Sequence, residues 1–185
     1  MRSTAADPAE AHFKRIGLAV AKFWTCKRAI GVVAEALECH GGNGYVEESI
    51  LPRLYREVPL NSIWEGSGNV NALDVLRAMQ REPETLTAYL DEVELARGQD
   101  ARLDGALEEV KSELADTGEH ETRARRIVAR MAVALQASLL VRYGESTVTE
   151  LFVTSRLGGD VGHMFGTLTG SNLKSVVERH RPGSD

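Results

Sequence analysis

A chain of 185 residues with 43% hydrophobic and 26% charged residues is long enough to bury a core and too apolar for disorder to be the default. No run reaches the roughly 18 apolar residues that a bilayer span needs, and MRSTAADPAEAH lacks the apolar centre of a signal peptide, so a cytoplasmic protein with no membrane partner is expected. Residues 1–80 hold nine Lys/Arg and nine Asp/Glu, so the whole net charge of −5 belongs to residues 81–185.

The first element is one long helix from Glu10 to about Cys39. Ile16, Val20, Phe23 and Trp24, then Ile30, Val33 and Leu37, recur at three- and four-residue spacing with no proline among them. Cys26 and Cys39 lie thirteen residues apart on it, about 20 Å at helical rise, which is too far for a disulfide. Neither cysteine has metal-ligand spacing, no metal site is expected, and both fit the role of small packed hydrophobes.

Gly41 and Gly42 are expected to end this helix in left-handed conformations, with Pro52 and Pro59 bracketing an irregular connection of about twenty residues. Ser67 is placed to N-cap a second helix, on which Val70, Leu73 and Leu76 share a face as far as Met79. Beyond Gln80 a helix follows Pro83 and stops before Gly98, and the next ends at Gly118. Another runs from Glu119 to Tyr143 before Gly144, and a shorter one from Ser146 to Leu157. SRLGGDVGHMFGTLTG is ambiguous, and a short helix with a frayed tail closes the chain. No segment alternates as a half-buried strand does, so the fold class is all-α. We expect an antiparallel helical bundle over residues 1–80 and a second helical domain over 81–185.

Two short stretches carry chemistry. In HGGNGY the glycines are either a plain helix terminator or a place where bare backbone N–H groups approach a phosphate or a ring face. In NSIWEGSGNV, Glu65 stands beside Trp64 and before a helix whose free N–H groups suit a phosphate-bearing ligand. A carboxylate in such surroundings is either a general base made usable by low polarity or a residue kept near a helix start for electrostatic reasons alone.

The order GG-x-GY, P-R-L-Y-R-E and I-W-E-G-S-G-N, spread over residues 41–69, closely resembles the C-terminal helical domain of the acyl-CoA dehydrogenase family. Those flavoproteins usually read Q-x-x-GG-x-GY, then an R-x-x-R-D run, then I-x-E-G-T-S-E/Q. The wording LPRLYRE-x-P-x-NSIWEGSGN is most similar to the AidB-like branch, linked to the adaptive response to DNA alkylation. The resemblance implies an oxidoreductase acting on an acyl-CoA with FAD as cofactor. It makes Glu65 the catalytic base for the α-proton and sets Ser67 and Asn69 against the flavin nucleotide. Gly41 and Gly42 match a segment that reaches across a subunit interface to the FAD of a neighbouring protomer, which implies a homo-oligomer. Glu38 stands where the family carries glutamine, Ser67-Gly68-Asn69 replaces T-S-E/Q, and Arg56-Glu57 replaces Arg-Asp.

The same resemblance implies that the N-terminal helical domain and the central β-domain precede this region in a longer protein, so the chain alone is expected to be inactive. Residues 81–185 match the extra helical domain that the AidB-like branch associates with duplex DNA. Arg123, Arg126 and Arg130 fall on one helical face, opposite Val128, Leu135 and Leu139. They are either a DNA-phosphate patch or a solvated face. The competing expectation is a non-catalytic helical module that binds duplex DNA or docks to a partner chain.

Overall fold

The computed structural model describes residues 7–116, 118–159, 164–170 and 173–181, and every regular element among them is an α-helix. Helix α1 (Pro8–Cys39) starts where Asp7 accepts a hydrogen bond from the Ala9 N–H at 3.1 Å and Pro8 brings a preset φ to the first turn. All of its buried residues, Ile16, Ala19, Val20 and Phe23, lie in its N-terminal half.

A one-turn helix, α2 (Gly42–Tyr45), follows, and then α3 (Leu51–Asn61). The latter replaces the irregular connection expected from its two prolines. Pro52 sits in the first turn, where a missing N–H costs nothing, and Pro59 stands two residues from the end, where it forfeits a single intrahelical bond. Pro52 and Val58 face inward, and α3 packs on α1.

Helix α4 (Gly68–Arg81) has Ser67 at its N-cap position, but the Ser67 side chain makes no capping bond. Its buried face is Asn71, Ala72, Val75, Leu76 and Ala78, which leaves Val70 facing solvent. A single residue, Glu82, separates α4 from α5 (Pro83–Glu94). Then come α6 (Ala101–Ala115), α7 (His120–Tyr143), α8 (Ser146–Leu157) and α9 (Leu173–Arg179), all close to their expected spans. The ambiguous stretch 155–170 and the expected tail beyond Arg181 lie partly outside the described residues.

The core joins Ile16, Val20 and Phe23 of α1 to Val75 and Leu76 of α4, Tyr89 and Val93 of α5, Leu103 and Leu107 of α6, Ile127 and Met131 of α7, and Val153 of α8. It is continuous across residue 80. Two buried hydroxyls lace α5 to α7: Tyr89 donates to the Met131 carbonyl at 2.7 Å, and Ser138 donates to the Val93 carbonyl at 3.0 Å. Arg15 and Asp74 form a two-pronged pair between α1 and α4 at 2.8 and 3.0 Å.

Candidate functional site

The glycine stretch is a sharp reversal at the end of α1. Gly41 has φ 56° and ψ −143°, a combination that side-chain-bearing residues avoid. Gly42 is not left-handed; it begins α2. Gly44 is held by packing, since a Cβ there would lie 2.2 Å from the Leu37 carbonyl oxygen. A Cβ on Gly41 or Gly42 would meet nothing within 4 Å, so the backbone of both is open to an approaching molecule. Beside them lies an open groove of ≈ 420 Å³ lined by Ala34, Leu37, Glu38, Gly41, Tyr45 and Tyr55.

Glu65 occupies a turn between α3 and α4. It takes φ 55°, in the left-handed region, and Gly66 follows with φ 99°. Two side chains hold this turn by its carbonyls. Lys22 of α1 donates to Trp64 O at 2.6 Å and to Gly66 O at 2.9 Å. Asn71 Nδ2 donates to Gly66 O at 2.5 Å and to Ser67 O at 3.0 Å. Neither Lys22 nor Asn71 is marked by the sequence motifs. Glu65 is exposed, as are its neighbours Ile63 at 63% and Trp64 at 56%, and Ser67 and Asn69. The low-polarity surroundings that would make Glu65 a base are therefore not supplied by this chain, and the apolar residues beside it await a cover.

The two halves of the motif do not meet. The Glu65 turn is gripped at Lys22, whereas Gly41 lies nineteen residues further along the chain just past the same helix, about 25 to 30 Å away at helical rise. Gly41 and Gly42 therefore serve a different place from Glu65, Ser67 and Asn69 within one chain.

Arg123, Arg126 and Arg130 do share a face of α7, and that face meets α6. Glu113 lies 3.2 Å from Arg123, 3.0 Å from Arg126 and 3.2 Å from Arg130. Asp116 pairs with Arg123 at 3.1 Å and Glu109 with Arg130 at 3.3 Å. Burial opposes ionisation of Glu113, but Arg126, Arg130 and Arg123 together hold its carboxyl below the usual range. Three guanidiniums thus face three carboxylates. Such a patch has little uncompensated charge to exchange for the counterions of a phosphate backbone.

Residues 1–80 match the family model described as acyl-CoA dehydrogenase, C-terminal domain. These 80 residues are thus similar to an acyl-CoA dehydrogenase C-terminal domain. The chain is 47% identical over 109 residues to the AidB protein of Escherichia coli (strain K12), named for an acyl-CoA dehydrogenase, covering 59% of this chain and 20% of that one. It is 38% identical over 109 residues to acyl-CoA dehydrogenase family member 11 of Caenorhabditis elegans, covering 57% of this chain and 18% of that one. It thus spans about a fifth of these curated relatives. The crystal structure of Caenorhabditis elegans ACDH-11 in complex with C11-CoA superposes with a TM-score of 0.72 and 25% identity, covering 94% of this chain and 34% of that one.

Both 109-residue alignments are longer than the 80-residue acyl-CoA dehydrogenase domain, so the AidB-like relationship continues into the helices beyond it. No described helix is long and apolar enough to cross a membrane.

Proposed function

We propose that this chain is the C-terminal part of an FAD-dependent acyl-CoA dehydrogenase-like flavoprotein. In this reading Glu65 removes the α-proton of an acyl-CoA thioester, Ser67 and Asn69 lie against one flavin nucleotide, and Glu38, Gly41 and Gly42 lie against another in a neighbouring copy. The observation that carries the reading is the Glu65 turn: an unfavourable backbone conformation, gripped by Lys22 and Asn71, presents a carboxylate beside exposed Ile63 and Trp64. Strained conformations persist where the surrounding structure enforces them, and they cluster at working sites. The complex of Caenorhabditis elegans ACDH-11 with C11-CoA supports an acyl-CoA as the ligand.

The residues fit a flavin in part. The open backbone at Gly41 and Gly42 and the apolar walls of the adjoining groove suit a flat ring face, whereas Glu38 opposes the charge of a diphosphate. The chemistry FAD supplies when bound is acceptance of the hydride from the substrate β-carbon. Glu65 receives the proton on its carboxylate, and a surface covering Ile63 and Trp64 excludes water and makes that carboxylate more basic. Since the groove and Glu65 stand well apart on one chain, a complete site draws on more than one copy.

The 185-residue chain by itself should therefore self-associate through its uncovered apolar surface and bind no stoichiometric FAD. Sedimentation and a flavin titration check this, and a monomer that takes up one FAD per chain would overturn it. In a flavin-loaded assembly containing the chain, Glu65→Gln should slow flavin bleaching by acyl-CoA by about 10²- to 10⁴-fold. Unchanged bleaching would remove Glu65 from the role of base.

A further inference from the structure

We infer that the cleft enclosed by α1, α6, α7 and α8 binds a small ligand with a carboxylate or phosphate head on an apolar body, the oxyanion seated at Arg156, with Arg28 behind it on the Trp24 side of the cleft wall. The site lies outside the Glu65 turn and the glycine groove, and nothing in the proposed dehydrogenase reading uses it.

The argument begins with an account of the arginines. Among those on α6 to α8 that are withdrawn from solvent, Arg102 meets Asp100 and Glu150, Arg123 and Arg130 meet Glu113, and Arg142 meets Glu92. Arg156 is also half-buried, yet no carboxylate lies within ion-pair distance of it among the described residues. Its nearest charged influence is unfavourable: burial and then the positive charge of Arg28 both push its pKa down. Arg28 likewise has no carboxylate within ion-pair distance among the described residues; its guanidinium lies 5.3 Å from the Trp24 ring centre and 6.0 Å from that of Phe165. A half-buried guanidinium lining a cleft with no carboxylate partner among the described residues is a costly arrangement for a folded chain on its own. An oxyanion at Arg156 reverses the sign of that cost, and the planar guanidinium fork suits a carboxylate or phosphate.

The space is adequate. The cleft holds ≈ 640 Å³, and Gly105, Ala106 and Ala129 keep its walls low while Trp24, Val133 and Leu157 supply apolar surface. That is the size of a small-molecule site. The other charged residues along it, Arg102, Arg126, Arg130 and Glu109, already belong to pairs. Arg156 also borders a second cleft, of ≈ 430 Å³, walled by Leu151, Phe152, Leu168, Val176 and Val177. One arginine thus stands where a polar head and an apolar body would join.

Trp24 is the reporter. The chain has two tryptophans, and Trp64 is exposed, so Trp64→Phe leaves Trp24 as the only emitter without touching the cleft. In that background decanoate or monodecyl phosphate, below the concentration at which either forms micelles, should shift Trp24 emission saturably, the tighter of the two identifying the head group. Inorganic phosphate should bind more weakly, and decyltrimethylammonium should not bind. Arg156→Gln should weaken binding by about 10-fold or more, the usual effect of losing a charge-assisted hydrogen bond, and Arg28→Gln should weaken it by less. Arg125→Gln, on the exposed side of α7, should leave it unchanged. Without ligand, Arg156→Gln should melt at or above the parent temperature, because it removes an unpaired charge. The inference is overturned if neither amphiphile saturates the signal, if phosphate or the cationic amphiphile binds as tightly, or if the Arg156 variant binds like the parent. A fall of several degrees in the melting temperature of that variant would also overturn it, by assigning Arg156 a structural pairing instead.

Discussion

Glu65 combines a chemical role with a conformational cost. An L-residue in the left-handed region is disfavoured by about 1–2 kcal/mol, and glycine is spared that penalty. Lys22 and Asn71 keep the turn in place by holding the carbonyls on either side of Glu65. Glu65→Gly should therefore raise stability by about 1 kcal/mol, whereas Glu65→Gln should leave it nearly unchanged. Denaturant midpoints of the three proteins check this, and a glycine variant less stable than the parent would show that the carboxylate stabilises the fold. The identity of the turn was legible because a glutamate followed by glycine before a helix is a local pattern. Its clamp was not: a lysine donating to a carbonyl forty-two residues away leaves no periodic trace. The same limit applies to Arg123, Arg126 and Arg130. Their common face could be read from spacing, but Glu113 on the facing helix could not.

Among the elements, α5 to α8 were legible nearly end to end because Pro83, Gly98, Gly118 and Gly144 punctuate them. Helix α3 was hidden because its two prolines resemble breakers, although their positions make them tolerable. Helix α8 starts at Ser146, where the sequence placed it, and Glu145 sets that start. Both oxygens of Glu145 accept backbone N–H bonds, from Thr147 and Val148 at 3.0 Å each, and these bonds lower its pKa to about 2. Glu150 on the same helix is also lowered to about 2, chiefly by Arg102. A carboxyl whose pKa is lower in the folded state stabilises the fold above its unfolded value of about 4.5 and loses that contribution as the pH falls towards 2. The attachment of α8 should therefore weaken across that window. Glu145→Gln should lower the urea midpoint at pH 6 and have a much smaller effect near pH 2. If the variant follows the parent at both pH values, the cap contributes nothing measurable.

At the scale of the molecule, charge and family boundary suggest a division near residue 80, while the packing runs through it. The stretch that matches the acyl-CoA dehydrogenase C-terminal domain ends with α4, and Glu82 alone separates that helix from α5. Yet α1 lies against α5 and α7 as well as α3 and α4. Ile16, Val20 and Phe23, all less than 10% exposed, owe part of their cover to Tyr89, Val93 and the apolar face of α7. A fully buried side chain of this kind contributes about 1.5–3 kcal/mol. Uncovering even three such residues would remove about 4.5–9 kcal/mol, comparable to the 5–15 kcal/mol that holds a typical domain together. A fragment of residues 1–81 should accordingly show reduced helicity and no cooperative thermal transition, and a fragment of residues 1–144, which restores α5 to α7, should recover one. Far-ultraviolet circular dichroism against temperature distinguishes the outcomes. A sharp melt of the shorter fragment would mean that α1 to α4 close a core of their own and that the boundary at residue 80 separates two independent folding units.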